Sequence, residues 1–172
     1  MVATEGPEAA RLLPELALPA SRAVTCLYFA AARDPIGGGP VLVLDGERGG
    51  PVNNLCVLSA VAPSYAPPGA ELVSVTVLGG QPVDDLEGAV RAQLSRWFGP
   101  EVGSWRHLRT YRIDHALPAL TPPSLEPRDR TVRLRPGVYV CGDHRDTASI
   151  NGALGSGRRA AQSVFEELAR SG

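Results

Sequence analysis

The sequence predicts an α+β fold in which a strand-rich central region precedes a C-terminal strand and helix of a different kind. Short apolar runs separated by Gly- and Pro-rich turns fill most of residues 21–120, which is typical of a mixed, mainly antiparallel sheet. One interior segment, residues 84–100, has apolar residues at helical spacing. Residues 139–168 then pass from a β-branched run through Gly-Asp into a glycine-rich helical pattern, as at the junction of an α/β unit.

Composition limits the possible classes of function. The 172 residues are 44% hydrophobic with a formal net charge of −1, which allows a core and does not favour binding to nucleic acid or an acidic membrane surface. No apolar run approaches the roughly 20 residues of a transmembrane segment. The three cysteines have no metal or disulfide spacing, so we expect buried thiols in a reducing intracellular compartment, cytoplasm or plastid.

The first 20 residues predict the end of a strand followed by a short helix. Pro7 suits the first helical turn, and Pro19 is expected to close the unit. Four residues can form one apolar helix face: Ala9, Leu12, Leu13 and Leu16.

The central region predicts a series of strands and one helix. Gly46–Gly50 is a turn, so the strands on either side of it should form a hairpin. Strict alternation in residues 71–78 predicts a half-buried strand. Asp84 is the expected N-cap of the helix, and Gly99 its end. The expected strands are residues 23–31, 41–45, 52–60, 71–78 and 104–113.

Residues 116–137 are rich in Pro and Arg without periodicity and predict an extended connection, followed by a strand at residues 138–141. The final helix is amphipathic in pattern, with Arg158, Arg159 and Glu167 on its polar face. Its predicted buried face is Ile150, Ala153, Leu154, Gly157, Ala160, Ala161, Val164, Phe165 and Leu168.

The start of this helix has the composition of a ligand site. Each glycine inside a helix costs about 1 kcal/mol relative to alanine, and glycine permits close approach of a backbone or a flat ligand. Ser149 or Thr147 can cap the helix, whose first turn presents N–H groups to an electron-rich ligand. Asp143, at the end of the preceding strand, can accept hydrogen bonds from hydroxyl groups. The three glycines are Gly152, Gly155 and Gly157.

The segment GVYVCGDHRDTASINGALGSGRRAA resembles the C-terminal FAD-binding segment of the flavin-containing amine oxidase superfamily, which includes protoporphyrinogen oxidases and carotenoid-desaturase-like enzymes. The resemblance implies that Asp143 binds the ribityl or pyrophosphate part of FAD. It also implies that the backbone at Ile150 and Asn151 faces the pyrimidine edge of the flavin. The implied cofactor-binding residues are Gly142, Asp143, Ser149, Ile150, Asn151 and Gly152.

The resemblance extends along the chain. VATEGPEAARLL, near the N-terminus, is similar to the family's crossover between its FAD and substrate domains, and RTYRIDHALPAL is similar to its substrate domain. The implied organisation is a crossover from a Rossmann-like FAD domain at 1–20, a substrate-binding domain at 21–120, and a linker with the C-terminal FAD-binding strand and helix at 121–172. The implied partner is a small-molecule substrate.

Two features depart from the family pattern. No strand–GxGxxG–helix unit is present, and the glycines at 37–39 precede Pro40 between two expected strands. The FAD site is therefore expected to be incomplete, with the N-terminal half on another chain or absent. The resemblance also implies a lysine near flavin N5 in amine oxidases of the family, but all 17 basic residues of this sequence are arginine. This departure argues against amine oxidation and favours another flavin-dependent dehydrogenation or desaturation.

Two hypotheses of function follow. The first is a fragment of an FAD-dependent oxidoreductase that transfers hydride from an organic substrate to flavin N5. The alternative is a non-catalytic truncated remnant or interaction module that does not bind FAD. We assign no catalytic acid or base, and His107 and His115 lie too far apart in the sequence to suggest a metal site.

Overall fold

The structure, a computed structural model, describes residues 1–17, 20–79, 84–122, 126 and 130–171. The chain folds into two compact units, one of residues 1–22 with 115–172 and the other of residues 23–114. Pro19, the expected end of the first helical unit, lies outside the described residues, as does part of the predicted connection at 116–137.

Most residues of a five-stranded sheet lie in the unit of residues 23–114. The strands, in spatial order, are β2 (Leu42–Leu44), β3 (Val52–Val57), β4 (Glu71–Leu78), β1 (Ser21–Ala31) and β5 (Arg106–Pro118). β1 pairs antiparallel with β4, and β3 pairs antiparallel with both β2 and β4, which confirms the mainly antiparallel prediction. The hairpin predicted around residues 46–50 is the β2–β3 pair.

One face of this sheet packs against the helix α3 (Leu86–Phe98). The alternation in β4 buries Val73, Val75 and Val77 as predicted. From α3, Val90 and Leu94 are completely buried in the same cluster. The apolar periodicity of the sequence therefore determined which faces form this core, because burial of apolar area is the main favourable term in folding. Among its described residues, this unit also contains α2 (Leu58–Val61) and 3-10 turns at Pro63–Tyr65 and Pro100–Ser104.

The N-cap of α3 is Asp85, and the prediction of Asp84 was wrong by one residue. Asp85 adopts the left-handed conformation, with φ of 51°, and its Oδ1 accepts a hydrogen bond of 3.0 Å from the N–H of Gly88. A Cβ on Gly88 would lie 2.6 Å from the Asp85 carboxyl carbon, so glycine at this position lets the cap approach. Gly99 ends the helix as predicted, with a positive φ of 88°.

Gln93 is the buried polar residue of α3, at 1% exposed. Its Oε1 accepts a hydrogen bond of 2.8 Å from the N–H of Val52, and its Nε2 donates to Oδ2 of Asp45 at 2.9 Å. Gln93 thus satisfies the buried backbone at the start of β3, where the pairing of β3 with β4 shifts register between Val52 and Asn54. The helical periodicity of the sequence identified the apolar neighbours of Gln93 as core residues but did not predict that Gln93 itself is buried.

The other unit is built from both ends of the chain. Helix α1 (Gly6–Leu12) buries Ala9 and, just beyond its end, Leu13 and Leu16, whereas Leu12 is 47% exposed. These residues pack with Val140 in a small apolar cluster. The predicted strand at 138–141 is shorter than expected: β7 (Val138–Tyr139) pairs antiparallel with β6 (Arg133–Arg135), and a 3-10 turn, Asp143–Arg145, follows.

The buried face of helix α4 (Ile150–Ser171) overlaps only in part with the face that its apolar pattern predicts: Ala160 is buried as predicted, and Ala153, Gly157 and Val164 are half-buried. Its buried residues are Gly152, Ser156 and Ala160, spaced at four-residue intervals. Small side chains allow this face to approach the neighbouring loop closely, and polar contacts hold it there. Large apolar residues of the predicted face are instead exposed, by 67% to 81%: Ile150, Leu154, Phe165 and Leu168.

Glu167 anchors the C-terminal half of α4, although the sequence pattern placed it on the solvent face. Its carboxylate accepts hydrogen bonds from Arg133 Nε at 2.6 Å and from the N–H of Gly137 at 3.2 Å, and it also contacts the Tyr139 hydroxyl. The hydrogen bond from the Arg133 guanidinium, with that from Tyr139, lowers the pKa of Glu167 to about 2. This carboxylate therefore joins α4 to both β6 and β7.

Cysteine burial follows the prediction in part. Cys141 is buried, and burial raises the pKa of its thiol, whereas Cys26 and Cys56 are only half-buried. All three are free thiols. Among the helices of the described residues, none is long and apolar enough to cross a membrane.

Replacing Gln93 with leucine should lower the free energy of unfolding by about 2 kcal/mol, because the buried N–H of Val52 loses its acceptor. Urea denaturation followed by tryptophan fluorescence measures the difference. Leucine at Ala92, an exposed neighbour on the same helix, is the control and should change stability by less than about 0.5 kcal/mol. Equal stabilities for Gln93→Leu and the wild type would show that the side chain of Gln93 does not support β3.

Candidate functional site

Two distant segments of the chain meet edge to edge in the unit of residues 1–22 and 115–172. Val2 and Val140 form a parallel bridge: the N–H of Val2 donates to the carbonyl of Tyr139 at 2.8 Å, and the N–H of Cys141 donates to the carbonyl of Val2 at 3.0 Å. Because the pairing is parallel, both segments end at the same edge. That edge, at the carboxyl ends of strands, is where open α/β sheets bind ligands.

A buried hydroxyl group on α4 holds the turn that follows Val140. Ser156 is completely buried, and its Oγ accepts a hydrogen bond from the N–H of Gly142 at 3.0 Å and lies 2.8 Å from the carbonyl oxygen of Gly142. Gly142 has a φ of 151°, and a Cβ there would lie 2.5 Å from Cε1 of His144 and 3.1 Å from the carbonyl oxygen of Thr4. Glycine is therefore required at this position by both conformation and space.

Arginines hold the loop that follows. Nη1 of Arg130 donates to the carbonyl of His144 at 2.7 Å, and Nη2 of Arg159 donates to the carbonyl of Arg145 at 3.0 Å. Arg159 also forms an ion pair with Asp146, which is largely buried. The sequence pattern assigned Arg159 to a solvated helix face, but it binds the loop, while Arg158 is exposed.

A cavity of about 100 Å³ lies in this same unit, next to the held loop. Its lining includes two acidic residues, two histidines and a serine, whose side chains can form hydrogen bonds. This volume is well below the roughly 300–1,000 Å³ of sites that enclose a whole small-molecule ligand, so it suits part of a ligand. The lining residues are Glu5, Gly6, Pro7, Ser21, His115, Ala116, Leu117, Pro118, Asp143 and His144.

Asp143 and His144 both line this cavity but differ in side-chain exposure. The side chain of Asp143 is 27% exposed, whereas that of His144 is 1% exposed. Burial, aided by the guanidinium of Arg145, lowers the pKa of His144 and favours its neutral form. The site thus presents a carboxylate that accepts hydrogen bonds beside a neutral imidazole that both donates and accepts them.

The start of α4 is capped by Ser149, one of the two candidates from the sequence. Its Oγ accepts a hydrogen bond of 3.0 Å from the N–H of Gly152, and Gly152 packs against the carbonyl of Thr147, where a Cβ would clash. Within the described part of the chain, the N–H groups of Ile150 and Asn151 donate no backbone hydrogen bond. Both residues are exposed, Ile150 by 81%.

The structure brings some of the predicted site residues together. Gly142 and Asp143 lie next to each other at the strand end, and Asp143 lines the cavity. The residues Ser149, Ile150, Asn151 and Gly152 lie at the start of α4 and are not among the described residues that line it.

Sequence reasoning missed Ser156, Arg130 and the burial of His144. Ser156 lies outside the predicted apolar face of α4, so the apolar pattern gave no signal for its contact with the backbone of Gly142. Nothing in the local sequence distinguishes a buried histidine after Gly-Asp from a solvated one, because its burial results from contacts with distant segments.

The described residues thus place a small cavity and the start of a long helix in the same unit as a pair of parallel strand ends. The sequence profile of the family described as flavin containing amine oxidoreductase matches residues 2–165. The chain therefore belongs to the flavin containing amine oxidoreductases, and flavin is the cofactor that this family implies.

Three solved structures share the fold over 95% of this chain. They are a protein assigned as a protoporphyrinogen oxidase from Exiguobacterium sp. 255-15 (TM-score 0.62, 19% identity), an oxidoreductase from Methanosarcina mazei (0.52, 18%) and a protein from Pyrococcus furiosus (0.55, 16%). The chain covers 39%, 38% and 35% of their lengths, respectively, so it spans less than half of each. The comparison with curated proteins found no match.

Replacing Ser156 with alanine should loosen the Gly142 turn, because the N–H of Gly142 loses its acceptor. We expect hydrogen exchange at the Gly142 amide to become about tenfold faster, the equivalent of about 1.4 kcal/mol. Alanine at Ser163, also on α4, is the control and should leave that exchange unchanged. Unaltered exchange in Ser156→Ala would mean that other contacts hold the turn.

Proposed function

We propose that this chain forms part of an FAD-dependent oxidoreductase in which an organic substrate gives up a hydride to flavin N5. The observation that carries the proposal is the parallel pairing of Val2 with Val140, which lies beside a cavity containing Asp143. Both segments belong to the stretch matched by the flavin containing amine oxidoreductase family.

The residues present fit part of FAD. Asp143 can accept hydrogen bonds from the hydroxyls of the ribityl chain, and the two ring nitrogens of His144 are buried without a partner among the described residues. Unsatisfied polar atoms beside a carboxylate are expected where a polar ligand completes the site. The small volume of the cavity suits this chain of hydroxyls better than the whole cofactor.

The start of α4 is proposed as the second contact. The N–H groups of Ile150 and Asn151 can donate to the carbonyl oxygens on the pyrimidine edge of the flavin, and the positive end of the helix dipole favours negative charge there. Ser149 caps this turn by accepting a hydrogen bond from the N–H of Gly152. The absence of a side chain at Gly142 allows the preceding loop to pack closely against His144 and Thr4.

When bound, FAD supplies a two-electron acceptor at N5, and this chain supplies binding and orientation. The strand-rich region of residues 21–120 is proposed to bind the substrate. The sequence contains no lysine, which argues against amine oxidation by a mechanism that needs one near the flavin. We therefore favour dehydrogenation or desaturation of an organic substrate.

The proposed site needs further polypeptide, in the same chain or another. The solved relatives are more than twice as long as the part this chain covers. The exposed apolar face of α4, formed by Ile150, Leu154, Phe165 and Leu168, is suited to contact such a polypeptide. That additional part would provide the remaining FAD contacts, including those to the ADP moiety.

A second candidate function is an interaction module that does not bind FAD. The same exposed face of α4 favours it, since contiguous apolar patches mark interaction surfaces. Flavin binding separates the two candidates.

Titration of FAD with the purified 172-residue chain should quench flavin fluorescence weakly but saturably. Asp143→Asn should weaken binding by about tenfold, because a carboxylate that accepts hydroxyl hydrogen bonds is replaced by a neutral amide. Asp84→Asn, an exposed site with the same change of charge, is the control and should bind as the wild type does. An absence of saturable quenching would favour the interaction module instead.

The exposed face of α4 should bind a hydrophobic dye in the folded protein. The double variant Leu154→Ser, Phe165→Ser should reduce the fluorescence of bound anilinonaphthalene sulfonate by about half, since it removes two large side chains of the patch. Val61→Ser, at an exposed apolar residue elsewhere, is the control and should have little effect. A wild-type dimer that the double variant converts to monomer would show that a second copy covers this face.

A further inference from the structure

His144 is an unusual buried residue. Its side chain is 1% exposed, and neither Nδ1 nor Nε2 has a hydrogen-bond partner among the described residues. Buried polar atoms in native proteins almost always have a partner, and an unpaired one costs about as much as a lost hydrogen bond. Two such atoms on one side chain that lines a cavity indicate that the partner is a ligand.

The described residues around the imidazole fix its position but form no hydrogen bond with its nitrogens. The ring packs against Gly142, where even a Cβ would come within 2.6 Å of Nδ1. The backbone carbonyl of His144 is bound by Arg130, and the following residue, Arg145, is buried and tied to the carbonyl of Thr131. The loop thus determines the position of the ring, and neither ring nitrogen forms a hydrogen bond with a described residue.

Asp143 lies beside this ring and lines the same cavity. Its Oδ1 is 3.9 Å from Nδ1 of His144, which is too long for a direct hydrogen bond. At this separation a single hydroxyl oxygen can lie within hydrogen-bond distance of both atoms. A hydroxyl donates one hydrogen and accepts others, so it complements a carboxylate that accepts and a neutral imidazole that donates.

We propose that His144 is a further ligand-binding residue of this site: it binds the same polyhydroxy chain whose contact with Asp143 the family resemblance already implies. The Asp143 carboxylate accepts the hydrogen of a hydroxyl, and an imidazole N–H donates to the oxygen of that hydroxyl or of its neighbour. The inference deepens the proposed function, since the ribityl chain of a flavin has this chemistry. A free polyol has it as well, and the experiment separates the two sources.

The test uses the full chain and three probes: riboflavin, which has the ring and the ribityl chain; lumiflavin, which has the ring alone; and ribitol, which has the chain alone. His144→Leu should weaken riboflavin binding by about tenfold and leave lumiflavin binding unchanged, as measured by fluorescence and calorimetry. His144→Gln, which can still donate and accept, should restore part of the affinity. His107→Leu, at a histidine that already has Thr110 as a partner, should not affect binding.

The melting temperature of the protein without ligand is a second measurement that tests the inference. Removing an unsatisfied imidazole should leave the melting temperature of His144→Leu equal to or above that of the wild type, whereas loss of an ordinary packed histidine would lower it. Equal riboflavin affinity in the wild type and His144→Leu would overturn this inference and leave the proposed flavin site standing. An equal loss for riboflavin and lumiflavin would overturn it too.

Two further outcomes concern the ligand. Binding of ribitol but of neither flavin would support the polyol site and contradict the proposed function. Binding of none of the three probes by the wild type would contradict both.

Discussion

The candidate site depends on the contact between the Ser156 hydroxyl and the backbone of Gly142. This contact replaces the hydrogen bonds that a continuing strand would make, at the point where the chain leaves Val140 and turns toward α4. Because Gly142 has no side chain, the ring of His144 can lie against it, and Asp143 reaches the cavity. Together with the hydrogen bonds from Arg130 and Arg159, this contact positions the loop that carries the imidazole and the carboxylate.

The same contact explains why α4 is rotated away from the orientation that its apolar residues predict. The helix uses Gly152, Ser156 and Ala160 to approach the loop, and it uses Arg159 and Glu167 to bind two other segments. Hydrogen bonds and ion pairs of this kind are directional, and several of them act on one helix. In this orientation four large apolar side chains are left at the surface: Ile150, Leu154, Phe165 and Leu168.

Much of the fold could be predicted from local patterns. The alternation in β4 and the periodicity in α3 identified the core of the sheet, because each pattern states which side of an element is apolar. The N-cap of α3 was misplaced by one residue because Asp84 and Asp85 are equally good capping residues. For the site, the Gly-Asp turn and the helix start could be located from their residue types, whereas the partners Arg130, Ser156 and Glu5 come from separate parts of the chain.

The sequence by itself determined the elements, the antiparallel core and the membership of the flavin containing amine oxidoreductases, since these depend on residue types at short spacing. Only the tertiary structure decided which face of α4 is buried, how Val2 pairs with Val140, and that His144 is enclosed without a partner. Those features depend on contacts between residues more than a hundred positions apart or on competition between polar and apolar packing. Neither leaves a local pattern in the sequence.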